Sequence, residues 1–378
     1  MCGFPGKNKM SPYVVLFAGE DSGDILGENV VSAICSLGLK SRGIGGKRMS
    51  EAGLESIEDF EKFPVSGFFD VLPRLFFFKK ILRLMKREIS NPLCKAFIAI
   101  DYPGLNLKLV EFAKKCGKPV LYLSPPQIFA WKKKRANVLQ GTKTLVFFPM
   151  EKESYEKESI IAEKIKHPFV EAIENTEISE KENKIYLFPG SRYKVLRRNF
   201  ELYAEMAKKV SAIGQPIFVA SRMSLKKELE KTLPQNIKVE LSPVNAKDRI
   251  AFLSKAKFVI GNPGTALLES ALCATPYAVF VKPDFLTYFM GKLFLKIKSL
   301  SLPNLLLKES FFPEIVIAPF TNKKKKMDDL YQMIEKLICQ KEEISSKREK
   351  LLEILNEGNS VQKSVTEFLL QFVCSKSH

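Results

Sequence analysis

The chain of 378 residues is longer than one hydrophobic core normally serves, so two domains are expected. Its 46% hydrophobic and 27% charged residues can fill and cover two cores, which excludes a disordered, collagen-like or small disulfide-stapled chain. A net charge of +18 points to polyanionic partners, whether nucleic acid, acidic lipid or phosphorylated small molecules, without choosing among them.

Residues 1–4 lack the apolar region of a signal peptide, and Pro5 with nearby lysines follows, so no export signal is expected. Tyr13–Ala18 is an apolar run ending at Gly19, followed by Asp21, Ser22, Gly23 and Asp24 and a helical stretch to about Leu37, a strand–turn–helix unit. Apolar runs recur at 97–100, 120–123 and 145–148, separated by helix-length segments as parallel strands require. The Lys/Glu-rich stretch 151–184 is the best domain boundary. Strand-like runs restart at 185–188 and continue at 217–219, 237–239, 258–260 and 278–281. Helical periodicity then occupies 327–372, interrupted at Gly358–Asn359. The expected organisation is α/β: a first domain over 1–165, a second over 166–345, and C-terminal helices over 346–378 returning toward the first domain. Seven cysteines without a CxxC pair, and only two histidines, argue for free thiols in a reducing compartment and against a zinc site. No uncharged apolar run reaches 18 residues, so a spanning helix is not expected.

Asp101 follows a strand directly, which places it at the edge where open parallel sheets bind ligands. It is either a general base or a helix-capping or turn aspartate. Glu20, Asp21 and Asp24 crowd the loop after the first strand; they line the same edge, or Asp24 caps its helix. In the second half, Pro189-Gly190-Ser191-Arg192 follows a strand and offers backbone N–H groups and a cation to phosphate. Gly264 and Thr265 open a helix that carries Glu269. Neither G-x-G-x-x-G nor G-K-[ST] is present, so dinucleotide and P-loop readings fall. The two turns together favour a nucleotide diphosphate. Residues 68–87 and 285–298 mix lysine and arginine with dense aromatic and aliphatic side chains; in the first, basic residues at 79, 80, 83, 86 and 87 share helical spacing while Phe77, Phe78, Ile81, Leu82, Leu84 and Met85 supply apolar area. The first is either an interfacial helix or an ordinary buried helix with a basic outer face, and Lys323 to Lys326 either lie on anionic lipid or face water.

An ordered set of short words spans nearly the whole chain: Ala18-Gly-Glu-Asp-Ser-Gly-Asp24, Gly43-Ile-Gly-Gly46 with Met49, Ile100-Asp-Tyr-Pro103 with Asn106, Ser124-Pro125 with Ala130-Trp131, Pro149 with Glu151-Lys152, Pro189-Gly-Ser-Arg192, Gly264-Thr265 with Leu268-Glu269, and Leu302-Pro-Asn-Leu305 with Pro313-Glu314. In these words the chain resembles the lipid-A-disaccharide synthase family of inverting glycosyltransferases. The resemblance implies a GT-B fold, two Rossmann-like domains with parallel sheets facing across a cleft, and a UDP-sugar donor held mainly by the C-terminal one. It implies transfer of 2,3-diacylglucosamine from its UDP derivative to 2,3-diacylglucosamine 1-phosphate (lipid X). It also implies peripheral attachment to an anionic membrane, on the cytoplasmic face of the inner membrane of a Gram-negative bacterium. Homodimer formation is left open; nucleic acid is not an expected partner, and no metal or other cofactor is needed.

The family's catalytic aspartate falls on Asp101, its acidic residue of the first loop on Glu20 and its phosphate-side arginine on Arg192. Gly190, Ser191, Gly264, Thr265 and Glu269 fall in its donor-binding words. Four positions depart from the family pattern: Gly104 and Lys194 stand where acids are usual, Lys166 where glycine is usual, and Phe129 where a first tryptophan precedes Trp131. Other readings are a diverged GT-B transferase, a nucleotide-sugar epimerase or a non-catalytic lipid-binding relative.

Overall fold

The computed structural model describes residues 11–60, 75–128, 137–174, 176–284, 288 and 299–374, except the side chains of Asp21 and Leu75. Chain contacts divide it into two units, 1–166 with 358–378, and 167–357.

The first unit is built in the order β1 (Tyr13–Ala18), α1 (Asp21–Ser36), β2 (Lys40–Ile44), α2 (Lys47–Glu51), β3 (Leu54–Ser56), α3 (Leu75–Ser90), β4 (Cys94–Ile100), α4 (Pro103–Lys115), β5 (Val120–Leu123), β6 (Lys143–Val146), α5 (Pro149–Glu156) and β7 (Ala162–Lys164). Its seven strands form one sheet in the order β3-β2-β1-β4-β5-β6-β7, every pair parallel. Every residue of β1 is buried, as a central parallel strand covered on both faces requires. Gly43 fits β2 to β1 at close range: its φ is +153° and a Cβ there would lie 1.9 Å from the Leu16 carbonyl oxygen.

The second unit follows as α6 (Pro168–Glu174), β8 (Lys184–Phe188), α7 (Tyr193–Val210), β9 (Gln215–Ala220), α8 (Met223–Thr232), β10 (Lys238–Leu241), α9 (Ala246–Ser254), β11 (Ala256–Gly261), α10 (Thr265–Leu272), β12 (Tyr277–Val281), α11 (Leu302–Leu307), β13 (Glu314–Val316), α12 (Lys323–Cys339) and α13 (Lys341–Asn356). Its six strands take the order β10-β9-β8-β11-β12-β13, again all parallel. Both sheets therefore reverse their winding at one point, between β1 and β4 and between β8 and β11, the position at which open α/β sheets bind ligands at the carboxyl ends of their strands.

The unit boundaries differ from those read in the sequence. The first lies at 166/167 rather than 165/166. The return lies at 357/358 rather than near 346, because α13 stays with the second unit: Arg348 Nε donates to the Leu272 carbonyl at 2.7 Å, and Lys347 pairs with Glu309. Only α14 (Val361–Leu369) and a following π-helical turn rejoin the first unit, where α14 packs on α1. Gly358 makes that return sterically feasible, since a Cβ there would lie 2.4 Å from the Lys164 carbonyl oxygen.

Candidate active site

In the first unit the two segments leaving the switch point are Gly19–Glu20 after β1 and Asp101–Tyr102 after β4. They pack directly: a Cβ on Gly19 would lie 2.8 Å from the Tyr102 ring. Asp101 and Tyr102 both take left-handed backbone, φ +48° and +46°, which costs a non-glycine residue about 1–2 kcal/mol. The surroundings over-determine that geometry. The Asp101 carbonyl accepts from Asn106 Nδ2 at 2.6 Å and from the Tyr122 hydroxyl at 2.9 Å, while its N–H donates to the Leu123 carbonyl at 2.9 Å. Asn106, fully buried on α4, also donates to the Ile100 carbonyl at 3.1 Å.

With the backbone fixed, the Asp101 carboxylate has two donors, the Tyr102 N–H on Oδ1 at 2.8 Å and the Ser22 hydroxyl on Oδ2 at 3.0 Å. Burial pushes its carboxyl above the ordinary aspartate range, and these two bonds hold it down. Asp101 does not cap α4. The cap position is Tyr102, and the Asp101 carboxylate bonds no amide deeper in the helix. Glu20 occupies the cap position of α1 without a side-chain capping bond. Its charge lies near Tyr102, whose hydroxyl is pushed up to about 12 by burial and then by Glu20.

Asp24 has a different role from both sequence alternatives. It is buried within α1 and caps α2, accepting from the Arg48 N–H at 3.2 Å and the Met49 N–H at 3.1 Å. The glycines of the 43–46 word make room for this bracket, because a Cβ on Gly46 would meet the Asp24 carboxyl at 2.5 Å. A further acid, Glu151, belongs to the Pro149 word, whose spacing suggests no role for it. It lies buried at the start of α5, where one oxygen accepts from the Phe147 and Phe148 N–H groups, both at 3.2 Å. Burial raises its carboxyl to about 7, and the Asp101 charge adds to the rise.

In the second unit the turns after β8 and β11 leave neighbouring strands, since Gly261 pairs with Phe188. Each turn feeds a helix: Arg192 is the cap residue of α7 and Gly264 that of α10. Neither helix has an acid in its first turn, so both positive ends remain available to an anion. Lys194, at a position where the family pattern has an acid, lies in the first turn of α7 and strengthens that polarity. Ser191, Arg192, Gly264 and Thr265 are all exposed. Among the described residues, Arg192 has no ion-pair partner. Gly190 has φ +147°, and a Cβ would stand 2.7 Å from Val195 Cγ1, so only glycine lets this turn fold onto α7.

Glu269, read as a nucleotide contact, has an internal partner. Arg249 Nε donates to its Oε2 at 2.5 Å and Arg249 Nη1 to Ser242 Oγ at 3.2 Å. Burial raises the Glu269 carboxyl, and Arg249 opposes the rise. Sequence reasoning assigned no role to Ser22, Asn106, Tyr122, Glu151 or Arg249. Ser22, Asn106 and Glu151 stood inside quoted words. Tyr122 looked like any core residue of a strand, and nothing local linked Arg249 to Glu269. Phe129, Ala130 and Trp131 fall outside the described residues.

A family model described as lipid-A-disaccharide synthetase matches residues 14–370. The chain is 33% identical over 323 residues to lipid-A-disaccharide synthase 1 of Legionella pneumophila strain Paris, covering 80% of this chain and 83% of that one. It is 30% identical over 345 residues to lipid-A-disaccharide synthase of Aquifex aeolicus, covering 88% and 91%. Among solved structures, the glycotransferase of kitacinnamycin matches 96% of this chain and 100% of its own, with a TM-score of 0.60 at 11% identity, a likeness of fold.

Proposed function

The chain belongs to the lipid-A-disaccharide synthase family, and from that premise we propose how its two GT-B units divide the reaction. The enzyme transfers 2,3-diacylglucosamine from UDP-2,3-diacylglucosamine to 2,3-diacylglucosamine 1-phosphate. The products are a β-1,6-linked disaccharide 1-phosphate and UDP, with inversion at the anomeric carbon. Inversion needs one in-line displacement, hence a base at the attacking hydroxyl and positive charge at the departing diphosphate.

Asp101 is our base. Its carboxylate is fixed in direction by a strained backbone turn held by three hydrogen bonds, and its raised pKa makes it a better proton acceptor than an ordinary aspartate. That geometry is the single observation carrying the assignment. Glu20, beside Tyr102, is the secondary acid of the same edge. In the second unit Arg192 and the N–H groups opening α7 and α10 meet the diphosphate, through Gly190, Ser191, Gly264 and Thr265. Glu269, braced by Arg249, faces the nucleoside hydroxyls. This distribution of positive charge supports a metal-independent reaction.

The test is to incubate purified protein with UDP-2,3-diacylglucosamine and the monophosphate acceptor, following UDP release and product mass with and without a chelator. Equimolar UDP and disaccharide, unaffected by chelator, is the expected result. UDP released without disaccharide, or an epimerised UDP-sugar, would overturn the assignment.

We further propose that the protein works on an anionic membrane surface, at the cytoplasmic face of the inner membrane, where a lipidic acceptor resides. No helix among the described residues is long and apolar enough to cross a bilayer. On α3 one face carries Phe76, Lys79, Lys80, Arg83 and Arg87; Phe76 is 84% exposed, with Lys79 Nζ 5.8 Å from its ring centroid. Phe77 and Phe78, read in the sequence as part of the apolar contact area, instead pack partly buried against the core with Leu82 and Leu84. The surface is therefore narrower than the sequence indicated. Residues 61–74 of the first basic-aromatic stretch, and nearly all of the second at 285–298, lie outside the described residues. Phe76→Ser with Lys79→Glu should reduce sedimentation with acidic vesicles at low salt; unchanged sedimentation would remove α3 from the contact.

A further inference from the structure

One side chain in the second unit holds three strand ends at once. Asn199 lies two turns into α7 and is fully buried. Its Nδ2 donates to the Pro189 carbonyl at 2.9 Å, after β8, and to Asn262 Oδ1 at 3.0 Å, after β11. Its Oδ1 accepts the Lys282 N–H at 3.2 Å, after β12. Asn262 Nδ2 in turn donates to the same Pro189 carbonyl at 2.5 Å and to the Phe188 carbonyl at 3.3 Å. A buried amide with every polar group engaged, between segments 63 and 83 residues apart, is a costly arrangement to keep for packing alone.

The consequence follows from peptide geometry. The bond from Pro189 to Gly190 is trans, as are all those described, so its C=O and N–H point in opposite directions within one plane. Two asparagine amides draw the Pro189 carbonyl inward, under the turn. The Gly190 N–H must then point outward, and among the described residues it donates to no partner. The left-handed φ of Gly190 lets the chain leave that plane toward Ser191 and the start of α7.

We propose that Asn199 is a positioning residue for the donor diphosphate: with Asn262 it locks the Pro189–Gly190 peptide so that the Gly190 N–H is presented to a phosphate oxygen. The inference rests on the assignment of the UDP-sugar to the second unit. It adds a device by which the buried interior of α7 sets the aim of a backbone donor, leaving Arg192 to supply charge.

The experiment measures UDP affinity by calorimetry, with donor and acceptor KM, kcat and thermal midpoint, for wild type, Asn199→Asp, Asn262→Ala and Arg192→Ala. Asn199→Asp keeps the volume but replaces the donating amide with a carboxylate. Its UDP Kd and donor KM should rise about tenfold, the loss of one hydrogen bond to an anion, with acceptor KM unchanged. Asn262→Ala, at a half-buried position, removes the second inward donor and should show the same donor-selective pattern at a smaller amplitude. It decides the matter if Asn199→Asp does not fold. In protein labelled with 15N-glycine, UDP should shift the Gly190 amide resonance in wild type, and less in Asn262→Ala. If Arg192→Ala weakens UDP binding while both asparagine variants bind normally, or if bound UDP leaves Gly190 unshifted, the positioning role is wrong and the donor assignment stands. If Arg192→Ala also binds normally, both fall.

Discussion

The two switch points make an informative pair. Each lies between the first and fourth strands of its parallel sheet, and each is gripped by a fully buried asparagine on the helix that follows, Asn106 in the first unit and Asn199 in the second. Their effects are opposite. Asn106 pulls on the Asp101 carbonyl and helps force two residues into left-handed backbone, and the product is an aimed carboxylate. Asn199 draws in the Pro189 carbonyl and, on our proposal, turns the Gly190 amide outward at an edge shared by two helix N-termini. On the proposed assignment, one edge concentrates its chemistry in a side chain and the other distributes it over backbone donors and a cation. Loss of the carboxylate itself should therefore be near all-or-none, while loss of any single donor at the second edge should be graded.

The largest effect should come from Asp101→Asn. It keeps the size and the Ser22 contact but cannot take a proton, and turnover should fall by about 10²–10⁴-fold. Turnover near wild type, measured as UDP release, would move the base to Glu20 and dissolve the contrast.

Next is Glu151, the buried acid behind the first edge. Its folded pKa, raised from 4.5 to about 7, means that between those values the folded state holds a proton which the unfolded state has lost. The unfolded state binds fewer protons there, so stability falls as pH rises through that window. The loss attributable to this group is about 3 kcal/mol. Glu151→Gln should remove that slope, so denaturation midpoints at pH 5 and pH 8 should draw together. An unchanged slope would show that Glu151 ionises freely in the fold.

The smallest effect belongs to Ser22→Ala. The hydroxyl steadies the Asp101 carboxylate from an exposed position, so its loss should cost about 1 kcal/mol of transition-state stabilisation. Because that bond holds the Asp101 pKa down, the acidic limb of the pH–rate profile should move to higher pH. A limb that stays in place, or moves to lower pH, would mean that Asp101 is not the titrating group.

What the sequence made visible follows from how far each signal reaches along the chain. β1 and β4 were legible because buried parallel strands are continuous apolar runs. β2 (KSRGI), β3 (LES), β7 (AEK) and β13 (EIV) were missed because they are short or charged, and three of them are sheet edges. Asp101, Gly190 and Arg192 could be placed because each lies in the turn that leaves a strand end, Asp101 directly after β4 and Gly190 and Arg192 two and four residues after β8. The partners that give them direction lie far away in sequence: Tyr122 is 21 residues from Asp101, Ser22 is 79, and Asn262 is 63 from Asn199. Phe77 and Phe78 show the same limit on a helix, where periodicity assigns a face but not what covers it.

The central claim is that the first edge supplies the base and the second binds the donor. Calorimetric titration of UDP into Asp101→Asn and Arg192→Ala tests it most directly. The account predicts wild-type affinity for Asp101→Asn and affinity weakened by about 10- to 100-fold for Arg192→Ala. UDP binding lost in Asp101→Asn and retained in Arg192→Ala would contradict it.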